Sequence, residues 1–573
     1  MTRLIPILKK GIAVLTLCLF FFLTNAQAAD KPHYGGELVQ AITSDPKSFN
    51  PVLAKETSTT VITGHMFEGI TRVDPFDLRP KPNLAERWET SPDGLTWTFY
   101  LRDGLRWSDG APLTADDVVF TFNDLIFNDA VPNSARDIFT IEGQPLKVAR
   151  IDALTVRFTL PCKFAPFLLG MGQEILPKHV LAEAVKSGRF AFTWGIDADP
   201  KTVVGSGAFI LESYLPGQAV TLARNPFYWK KSSANEPLPY LNRLRYMIVP
   251  NLDVELLKFM EGSIDAYSVR GMDFPLLKPL EAKRNFKIYD LGPDMGASFV
   301  VFNQNSGKNE KTGKPLMPAH KLNWFTNRAF RRAVAHAVDK ARIISIVKNG
   351  LGYPQYSPES PGAGFFYCDN VRQYPYDLAK ARELLAEAGF KDTNNDGVLE
   401  DKAGNPLEFS LLTNAGSNES ADISSILRND LERLGMKVNF QLVEFNTLVA
   451  KLTATYDWDA IVIGLTGSID PHFGQNVWLS SGQLHMWYPK QKTPATLWEK
   501  RLDELFALGV QELDEIRRKE YYDEYQKIIA DEAPMIYTAL GARLIAVRNK
   551  FFNLKPAVYG GVFHNLEEIY VNQ

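Results

Sequence analysis

The sequence predicts an α/β protein, because strand and helix patterns alternate over most of its 573 residues. The succession is clearest where a helix (421–434) ends at Gly435, a strand (436–445) follows, a helix restarts at Asn446, and a buried strand (459–465) closes the run. No internal repeat or low-complexity linker is detectable in the sequence. With 45% hydrophobic and 12% aromatic residues, the chain can form several cores, and its length suggests about three to four domains.

The first 28 residues predict a cleaved secretory signal peptide. Three basic residues precede an apolar stretch at 12–23, and the small residues Ala26 and Ala28 suit signal peptidase. The apolar stretch is shorter than a bilayer-spanning helix, so we expect an exported chain and not a membrane anchor. Lipidation at Cys18 is disfavoured, because Leu17 occupies a position where a small residue is needed.

The charge of the chain excludes two classes of partner. Removal of residues 1–28 takes away three positive charges and changes the formal net charge from −3 to −6. The remaining chain has neither a basic stripe typical of nucleic-acid binding nor a polybasic segment typical of lipid surfaces. Cys162 and Cys368 are the cysteines that remain. An oxidising compartment outside the cytoplasm permits a disulfide between them, and the sequence leaves open whether they form one.

The N-terminal half begins with a predicted strand at 36–43. A second strand, Thr96 to Arg102, alternates apolar and polar residues with the period of a half-buried strand, and Gly-containing turns frame it on both sides. Thr114 and Asp117 then form a capping-box pattern, and apolar residues after Asp117 give the predicted helix its buried face.

The later elements share helical spacing of apolar residues or an apolar run bounded by turn residues. They are predicted helices at 327–339, from Asp339 to Gly350, at 377–389, 496–509 and 513–532, and predicted strands at 535–540 and 543–547.

Several blocks of the sequence resemble the family 5 extracellular solute-binding proteins, the receptors of dipeptide, oligopeptide and nickel ABC importers. The most specific is PNLAERWETSPDGLTWTFYLRDGLRWSDGAPLTADDVVFTF at 82–122. Others are GGELVQAITSDPKSFNP, FEGITRVD, VGSGAFILESYLPGQAVTLARNPFYW, AFRRAVAHAVDKARI, YDLAKARELLAEAGF and ARLIAVRNKFFNL. Because these blocks occur in the family's order, the resemblance covers almost the whole chain after residue 28.

The resemblance implies a bilobal periplasmic-binding-protein fold of the cluster C type, with a hinge and an extra inserted domain. Domain I would be discontinuous and comprise 29–73, 205–295 and 541–573. Domain II, the family-specific insertion, would cover 74–204, and domain III, the second lobe, would cover 296–540. Periodicity alone does not predict this discontinuous arrangement.

The best candidate for a binding wall is the segment Ile461 to Trp487. It follows a buried strand and places glycines among aromatic residues, which suits the close approach and apolar contact of an organic ligand. The candidate lining residues in this segment are Leu465, Thr466, Gly467, Ser468, Asp470, His472, Trp478, His485 and Trp487. The alternative is a loop whose tryptophans fill the core beneath it.

The segment departs from the pattern of the peptide receptors that it resembles. In those proteins the strand pairs with the main chain of the ligand, and an acid four residues after the initial glycine binds the ligand's ammonium group. Counted from Gly464, that position is Ser468, and Asp470 arrives with Pro471 one residue early. Either Asp470 has taken the anchoring role or the ligand has no ammonium group; an Asp-Pro turn that bonds its own backbone is the structural alternative.

Ser44 and Glu68 are the candidates on the opposite wall, where the family uses the first strand and the loop after it. Glu68 has the charge to meet a cationic group, although an exposed carboxylate beside a glycine is commonly plain surface.

No motif predicts a metal or a catalytic site. Residues 392–400 resemble a calcium loop with oxygen side chains at positions one, three and five and glycine at six, but position twelve is Ala403, so a hairpin is preferred and calcium stays an alternative. The histidines form no zinc motif, and His472 with His485 leaves a nickel-type ligand open. Neither a nucleophile elbow nor a P-loop is present.

The sequence therefore favours a non-enzymatic periplasmic receptor of an ABC importer, without a cofactor, and the chain is expected to be a monomer. Peptides are the favoured ligand, and a permease with its ATPase complex in the inner membrane is the expected partner; nucleic acid is not. An oligosaccharide or a nickel complex is the alternative within this class. A secreted hydrolase or a chaperone on the same scaffold are alternatives outside it.

Overall fold

The computed structural model describes residues 32–53, 56–133, 135–309 and 312–572. The predicted signal peptide (1–28) lies outside these residues. Within them, no helix combines the length and the apolar composition that crossing a membrane requires.

The strands are numbered in chain order. They are β1 (Glu37–Ile42), β2 (Thr71–Val73), β3 (Pro80–Pro82), β4 (Ala85–Thr90), β5 (Thr96–Leu101), β6 (Thr140–Ile141), β7 (Gln144–Pro145), β8 (Lys147–Arg150), β9 (Thr155–Thr159), β10 (Phe209–Leu215), β11 (Ala219–Arg224), β12 (Arg243–Ile248), β13 (Ala266–Val269), β14 (Phe286–Pro293), β15 (Ala297–Phe302), β16 (Gly352–Pro354), β17 (Glu408–Asn414), β18 (Lys437–Val443), β19 (Ala460–Leu465), β20 (Met535–Tyr537), β21 (Ala539–Arg548), β22 (Phe551–Phe552) and β23 (Tyr570–Val571).

The α-helices are numbered in the same way. They are α1 (Thr57–Thr63), α2 (Ala115–Phe120), α3 (Ala135–Phe139), α4 (Phe167–Gly170), α5 (Lys178–Lys186), α6 (Leu252–Glu261), α7 (Phe274–Leu277), α8 (Ala319–Thr326), α9 (Arg328–Ala337), α10 (Lys340–Arg342), α11 (Leu378–Ala388), α12 (Asn418–Glu432), α13 (Phe445–Ala450), α14 (Gln475–Trp478), α15 (Leu497–Gln511) and α16 (Glu515–Glu532). Short 3-10 turns lie at Phe190–Phe192, Pro200–Thr202, Gly271–Asp273, Lys278–Leu280, Pro361–Phe366, Pro471–Gly474 and Leu566–Glu568, and π-helical turns at Thr121–Ile126, Ile343–Val347 and Lys451–Thr455.

The largest sheet has the strand order β18-β17-β19-β15-β20. Strand β17 is parallel to both β18 and β19, whereas β15 is antiparallel to its neighbours. Helix α12 connects the parallel pair β17 and β18, as parallel strands require. Apolar cores cover both faces of this sheet, one built largely on α9, α11 and α12 and the other on α15 and α16.

Three two-stranded sheets (β2-β3, β6-β7 and β22-β23) and three larger sheets complete the architecture of the described residues, and the larger ones carry most of the remaining strands. Their strand orders are β1-β12-β11-β10, β13-β21-β14 with β16 added on β21, and β4-β5-β9-β8. The last sheet has its own core, which falls within the predicted insertion 74–204 apart from Ile70 and a few flanking contacts. The α/β fold with two lobes is confirmed, and the domain boundaries themselves stay a prediction.

Two chain crossings join the large sheet to the sheet that contains β14 and β21. One runs from Pro293 to Ala297, and the other is Thr538, between β20 and β21. They lie side by side, since the Thr538 N–H donates to the Ser298 carbonyl at 2.8 Å and the Asp294 N–H to the Gly541 carbonyl at 2.9 Å. Paired crossings of this kind are the arrangement expected of a hinge.

Most sequence predictions of elements are confirmed within a few residues. The capping box at Thr114 and Asp117 is present at the start of α2, and Asp339 caps a helical segment that continues to residue 347. The predicted strand 535–540 is interrupted at Thr538, because the chain changes sheet there. Cys162 and Cys368 are both free thiols, so the disulfide left open by the sequence does not form.

Candidate functional site

A cavity of about 270 Å³ lies at the carboxyl end of β19, beside the first chain crossing. It brings together part of the predicted wall: Leu465, Thr466, Gly467, Ser468, Asp470 and Trp478. The cavity is also lined by residues that are not among the predicted binding residues: Gly296, Ala297, Pro358, Glu359, Pro471, Phe473, Gly474, Val477, Met535 and Tyr537.

The loop after β19 is held against the crossing strand by backbone contact. A Cβ atom on Gly467 would lie 1.7 Å from the Met295 carbonyl oxygen, and one on Gly296 would lie 2.6 Å from the Leu465 carbonyl oxygen. Both distances are below any real Cβ contact, so glycine is required on both sides of this approach. The cavity wall is thereby fixed directly to the predicted hinge.

We expect Gly467→Ala to weaken ligand binding by about tenfold or more and to destabilise the protein by about 1–3 kcal/mol, because the loop must move away from Met295 to admit the methyl group. Gly416→Ala is the matched control, since Gly416 is exposed and its nearest neighbour for a new Cβ is 3.5 Å away. Ligand titration and urea denaturation of both variants measure the difference. Equal ligand affinity and equal stability of the two variants would contradict the claim that the close approach of Gly467 to Met295 requires glycine.

Asp470 is one of two buried acids that line the cavity, and its charge is met within the protein. The Arg518 guanidinium donates to both of its carboxylate oxygens, at 2.6 and 2.8 Å, and the His472 N–H donates to it at 3.0 Å. Asp470 thus caps the turn that starts at Pro471, which confirms the Asp-Pro turn interpretation. The geometry gives no support to Asp470 as an ammonium anchor, because both oxygens are engaged by Arg518.

Glu359 is the second buried acid, and it lacks such compensation. Its carboxylate accepts a hydrogen bond from the Tyr525 hydroxyl. Among the described residues, no lysine, arginine or histidine nitrogen lies within 4.0 Å of its carboxylate. Burial, opposed by the Tyr525 hydrogen bond and reinforced by the charge of Asp470, raises the pKa of Glu359 to about 7.

The other aromatic candidates of the wall are divided between cavity and core. Trp478 lines the cavity and packs on Tyr525 with ring centroids 5.4 Å apart. Trp487 and His485 are fully buried beneath the loop, where the Trp487 indole N–H donates to Glu499 at 2.9 Å and the His485 Nε2 lies 3.3 Å from the same oxygen. For these two, the core-filling alternative describes what the structure shows.

His472 also lies away from the cavity lining. Its ring packs edge-on against Phe164 and Phe473, with centroid separations of 5.2 and 5.8 Å. Burial lowers the pKa of His472 to about 4, so the ring is neutral at pH 7. Since His485 faces Glu499, the two histidines do not converge on one point, and the geometry offers no support for a nickel-type ligand at this pair.

Glu68 lines a different cavity, of about 550 Å³, together with Arg72, Lys230 and Glu567. Its carboxylate accepts from the Trp229 indole N–H at 2.6 Å and pairs with Lys230 at 3.3 Å, and Lys230 pairs with Glu567 at 3.2 Å. The charges of this larger cavity therefore compensate one another. Ser44 is exposed in the loop after β1 and belongs to neither cavity lining.

Comparison with known proteins gives the family. The family model for bacterial extracellular solute-binding proteins, family 5 (middle region), matches residues 79–485. The chain belongs to this family.

Relatives and a solved structure agree with that assignment. The chain is 30% identical to a probable ABC transporter-binding protein of Deinococcus radiodurans over 88% of this chain and 87% of the relative. It is 29% identical to the oligopeptide-binding protein AppA of Bacillus subtilis, over 89% and 87%. It is 26% identical to a periplasmic alpha-galactoside-binding protein of Rhizobium meliloti, over 94% and 81%.

The structure of Bacillus subtilis AppA in complex with a nonapeptide is similar over the whole fold. It aligns with a TM-score of 0.69 and 26% identity, covering 95% of this chain and 100% of the other. The family and these neighbours are solute-binding proteins and not enzymes.

Proposed function

We propose that this protein is a periplasmic receptor that binds peptides between its two lobes, releases them chemically unchanged, and delivers them to an ABC permease and its ATPase. The observation that supports this function best is the cavity beside β19, in which the buried Glu359 carboxylate has no cationic partner among the described residues. A ligand with an ammonium group would supply the missing charge.

The edge of β19 supports a peptide main chain as the ligand. Strand β19 pairs with β15 through Leu465, but its pairing with β17 extends only over Ala460 and Ile461 among the described residues. Beyond the Val462 carbonyl, which accepts from the Thr413 hydroxyl, the last residues of β19 thus have no strand partner on the β17 side in the described structure, and an extended segment would pair there. An added strand on such an edge gains main-chain hydrogen bonds that do not depend on the ligand's side chains.

The acids that line the cavity indicate which residue binds the ammonium group of the peptide. In the peptide receptors that the sequence resembles, an acid after β19 meets the ligand's ammonium group, and that position is Ser468 here. Asp470 is neutralised by Arg518, so Glu359, which comes from the loop after β16 and lines the same cavity, takes the anchoring role.

An oligosaccharide is the second candidate ligand, because one relative is named an alpha-galactoside-binding protein and Trp478 offers an aromatic surface in the cavity. An uncompensated carboxylate favours the peptide over a neutral sugar.

A screen of the purified protein lacking residues 1–28 distinguishes the two ligands. We expect pools of free peptides to raise the thermal midpoint in a concentration-dependent way, since a ligand that binds only the native state stabilises it, and pools of neutral oligosaccharides to leave it unchanged. Mass spectrometry of the recovered peptide should show no cleavage. Stabilisation by sugars alone, or conversion of the ligand, would overturn the proposal.

A further inference from the structure

A second set of acidic side chains lies far along the chain from the ligand cavity, in the loop between α11 and β17. Asp392, Asp396 and Glu400 each offer a carboxylate oxygen, and these oxygens all lie within 4.8 Å of one another. Among the described residues, no lysine, arginine or histidine nitrogen lies within 4.0 Å of any of the three carboxylates. Three like charges at this separation repel one another unless a cation is shared between them.

The burial of Glu400 distinguishes this cluster from an ordinary acidic surface. Its side chain is buried, with 5% of the residue exposed, and its Oε1 has no hydrogen-bond partner in the described part of the chain. The other oxygen, Oε2, accepts from both the N–H and the hydroxyl of Thr393, each at 2.7 Å. A buried carboxylate oxygen without a partner is costly, and a metal ion bound there removes that cost.

The spacing of the acids matches the needs of a hard cation. Asp392, Asn394 and Asp396 occupy alternate positions and Gly397 follows in a left-handed conformation (φ +87°), as in loops that place oxygens at positions one, three and five and turn sharply at six. The usual acid at position twelve is replaced by Ala403, but the structure brings the acid at position nine, Glu400, into the cluster. The sequence pattern alone favours a hairpin over a calcium loop, because it lacks the acid at position twelve.

We propose that Asp392, Asp396 and Glu400 bind a calcium ion. Oxygen ligands exclude zinc as the preferred metal, and calcium accepts six to eight oxygens in flexible geometry, whereas magnesium demands a near-ideal octahedron. The remaining ligands come from Asn394, the backbone carbonyl at the seventh position (Val398) and water.

The ion has a structural role in the second lobe. The loop is closed by reciprocal backbone hydrogen bonds between Lys391 and Glu400, at 2.9 and 3.0 Å, which confirms the predicted hairpin. The next residue back, Leu399, donates its N–H to the Gly435 carbonyl at 2.8 Å and packs against the core of the large sheet. Calcium bound at the base of this hairpin therefore stabilises the contact between the α11–β17 connection and the turn that joins α12 to β18.

The test uses the full exported chain after removal of metal with a chelator. Titration with calcium chloride is expected to raise the thermal midpoint, and calorimetry should give one site with a dissociation constant in the range of about 10⁻⁴–10⁻³ M that is typical of extracellular modules. Magnesium at the same concentration should produce a smaller shift. A thermal midpoint that is the same with chelator and with excess calcium would overturn the proposal.

Three variants locate the site. Asp396→Asn and Glu400→Gln are each expected to weaken calcium binding by about tenfold or more, because each removes a charged ligand. Asp396 is exposed, so its variant folds even if the buried Glu400 variant does not. Glu387→Gln, which removes one exposed charge from neighbouring α11, is the matched control and should bind calcium normally. Calcium affinity that is unchanged in Asp396→Asn would place the ion elsewhere. None of these readouts depends on the peptide ligand.

Discussion

Replacement of Glu359 by Gln is expected to weaken the binding of a peptide with a free amino terminus by about tenfold to a hundredfold, the range that follows from losing a hydrogen bond to a charged group. The same substitution should leave the weaker binding of an amino-acetylated peptide almost unchanged, because that ligand has no ammonium group. Isothermal titration of both peptides with both proteins measures the difference. Equal losses for the two peptides would show that Glu359 acts on the shape of the cavity and not through its charge.

The pH dependence of peptide binding also distinguishes a charge role of Glu359 from an effect on the shape of the cavity. The empty protein holds Glu359 with a pKa of about 7, so a cationic ligand must displace its proton at lower pH. Affinity of the wild-type protein should therefore rise by up to about tenfold per pH unit between about pH 5 and pH 7 and then level off, whereas the Glu359→Gln variant should show no such slope.

The free energy of unfolding of the protein without peptide should fall as the pH rises, whereas the peptide affinity rises. Because the folded-state pKa of Glu359 lies above the value of an unfolded glutamate, the native state binds more protons than the unfolded state between the unfolded pKa of 4.5 and about 7. Its contribution to the free energy of unfolding is present below that window and is lost as the pH rises through it. Urea denaturation at both ends of the window should show this decrease in wild type but not in Glu359→Gln.

The second large effect concerns the buried pair of Asp470 and Arg518. We expect Arg518→Met to reduce the free energy of unfolding by about 3–5 kcal/mol, because it leaves the Asp470 carboxylate, 0% exposed, without its cation. Arg501→Met is the matched control on the preceding helix; its partner Glu524 and Arg501 itself are 45% and 39% exposed, and such pairs contribute about 0.2–1 kcal/mol. Urea denaturation followed by tryptophan fluorescence is the measurement.

A double variant tests whether the loss comes from the unpaired charge. Adding Asp470→Asn to Arg518→Met removes the buried charge while keeping an oxygen for the His472 N–H, and it should recover much of the lost stability. If the double variant is as unstable as the sum of the single variants, the pair does not act as a charge pair and the explanation fails.

The parts of the fold that sequence reasoning predicted are those set by local chemistry. The capping box of Thr114 and Asp117 and the alternation in β5 need only neighbouring residues, and both are found as predicted. The α-β-α-β order of α12, β18, α13 and β19 is likewise predicted by consecutive local patterns of apolar and turn residues. The local sequence around Thr538 predicts a continuous strand, whereas the change of sheet at this residue depends on distant strands.

The sequence predicts the cavity residues that lie on one continuous segment at and after the end of β19. It does not predict the contacts that distant segments make with them. Leu465 ends β19 and Thr466 to Ser468 follow it directly, and the structure places all four in the cavity lining. The partner of Asp470 is 48 residues away and the partner of Glu359 is 166 residues away, so no spacing rule links them. The glycine-rich loop that His485 and Trp487 share with Trp478 predicts a place in the wall, but both side chains contact Glu499 on α15 and are buried in the core.

A crystal structure of the protein with a peptide selected by the thermal screen tests the binding site most directly. The ligand is expected in the cavity beside β19, with its ammonium nitrogen at hydrogen-bond distance, about 3 Å, from the Glu359 carboxylate and its backbone paired with Ile463 to Leu465. A peptide found instead in the larger cavity lined by Glu68 and Lys230, with Glu359 facing no ligand, would contradict the account.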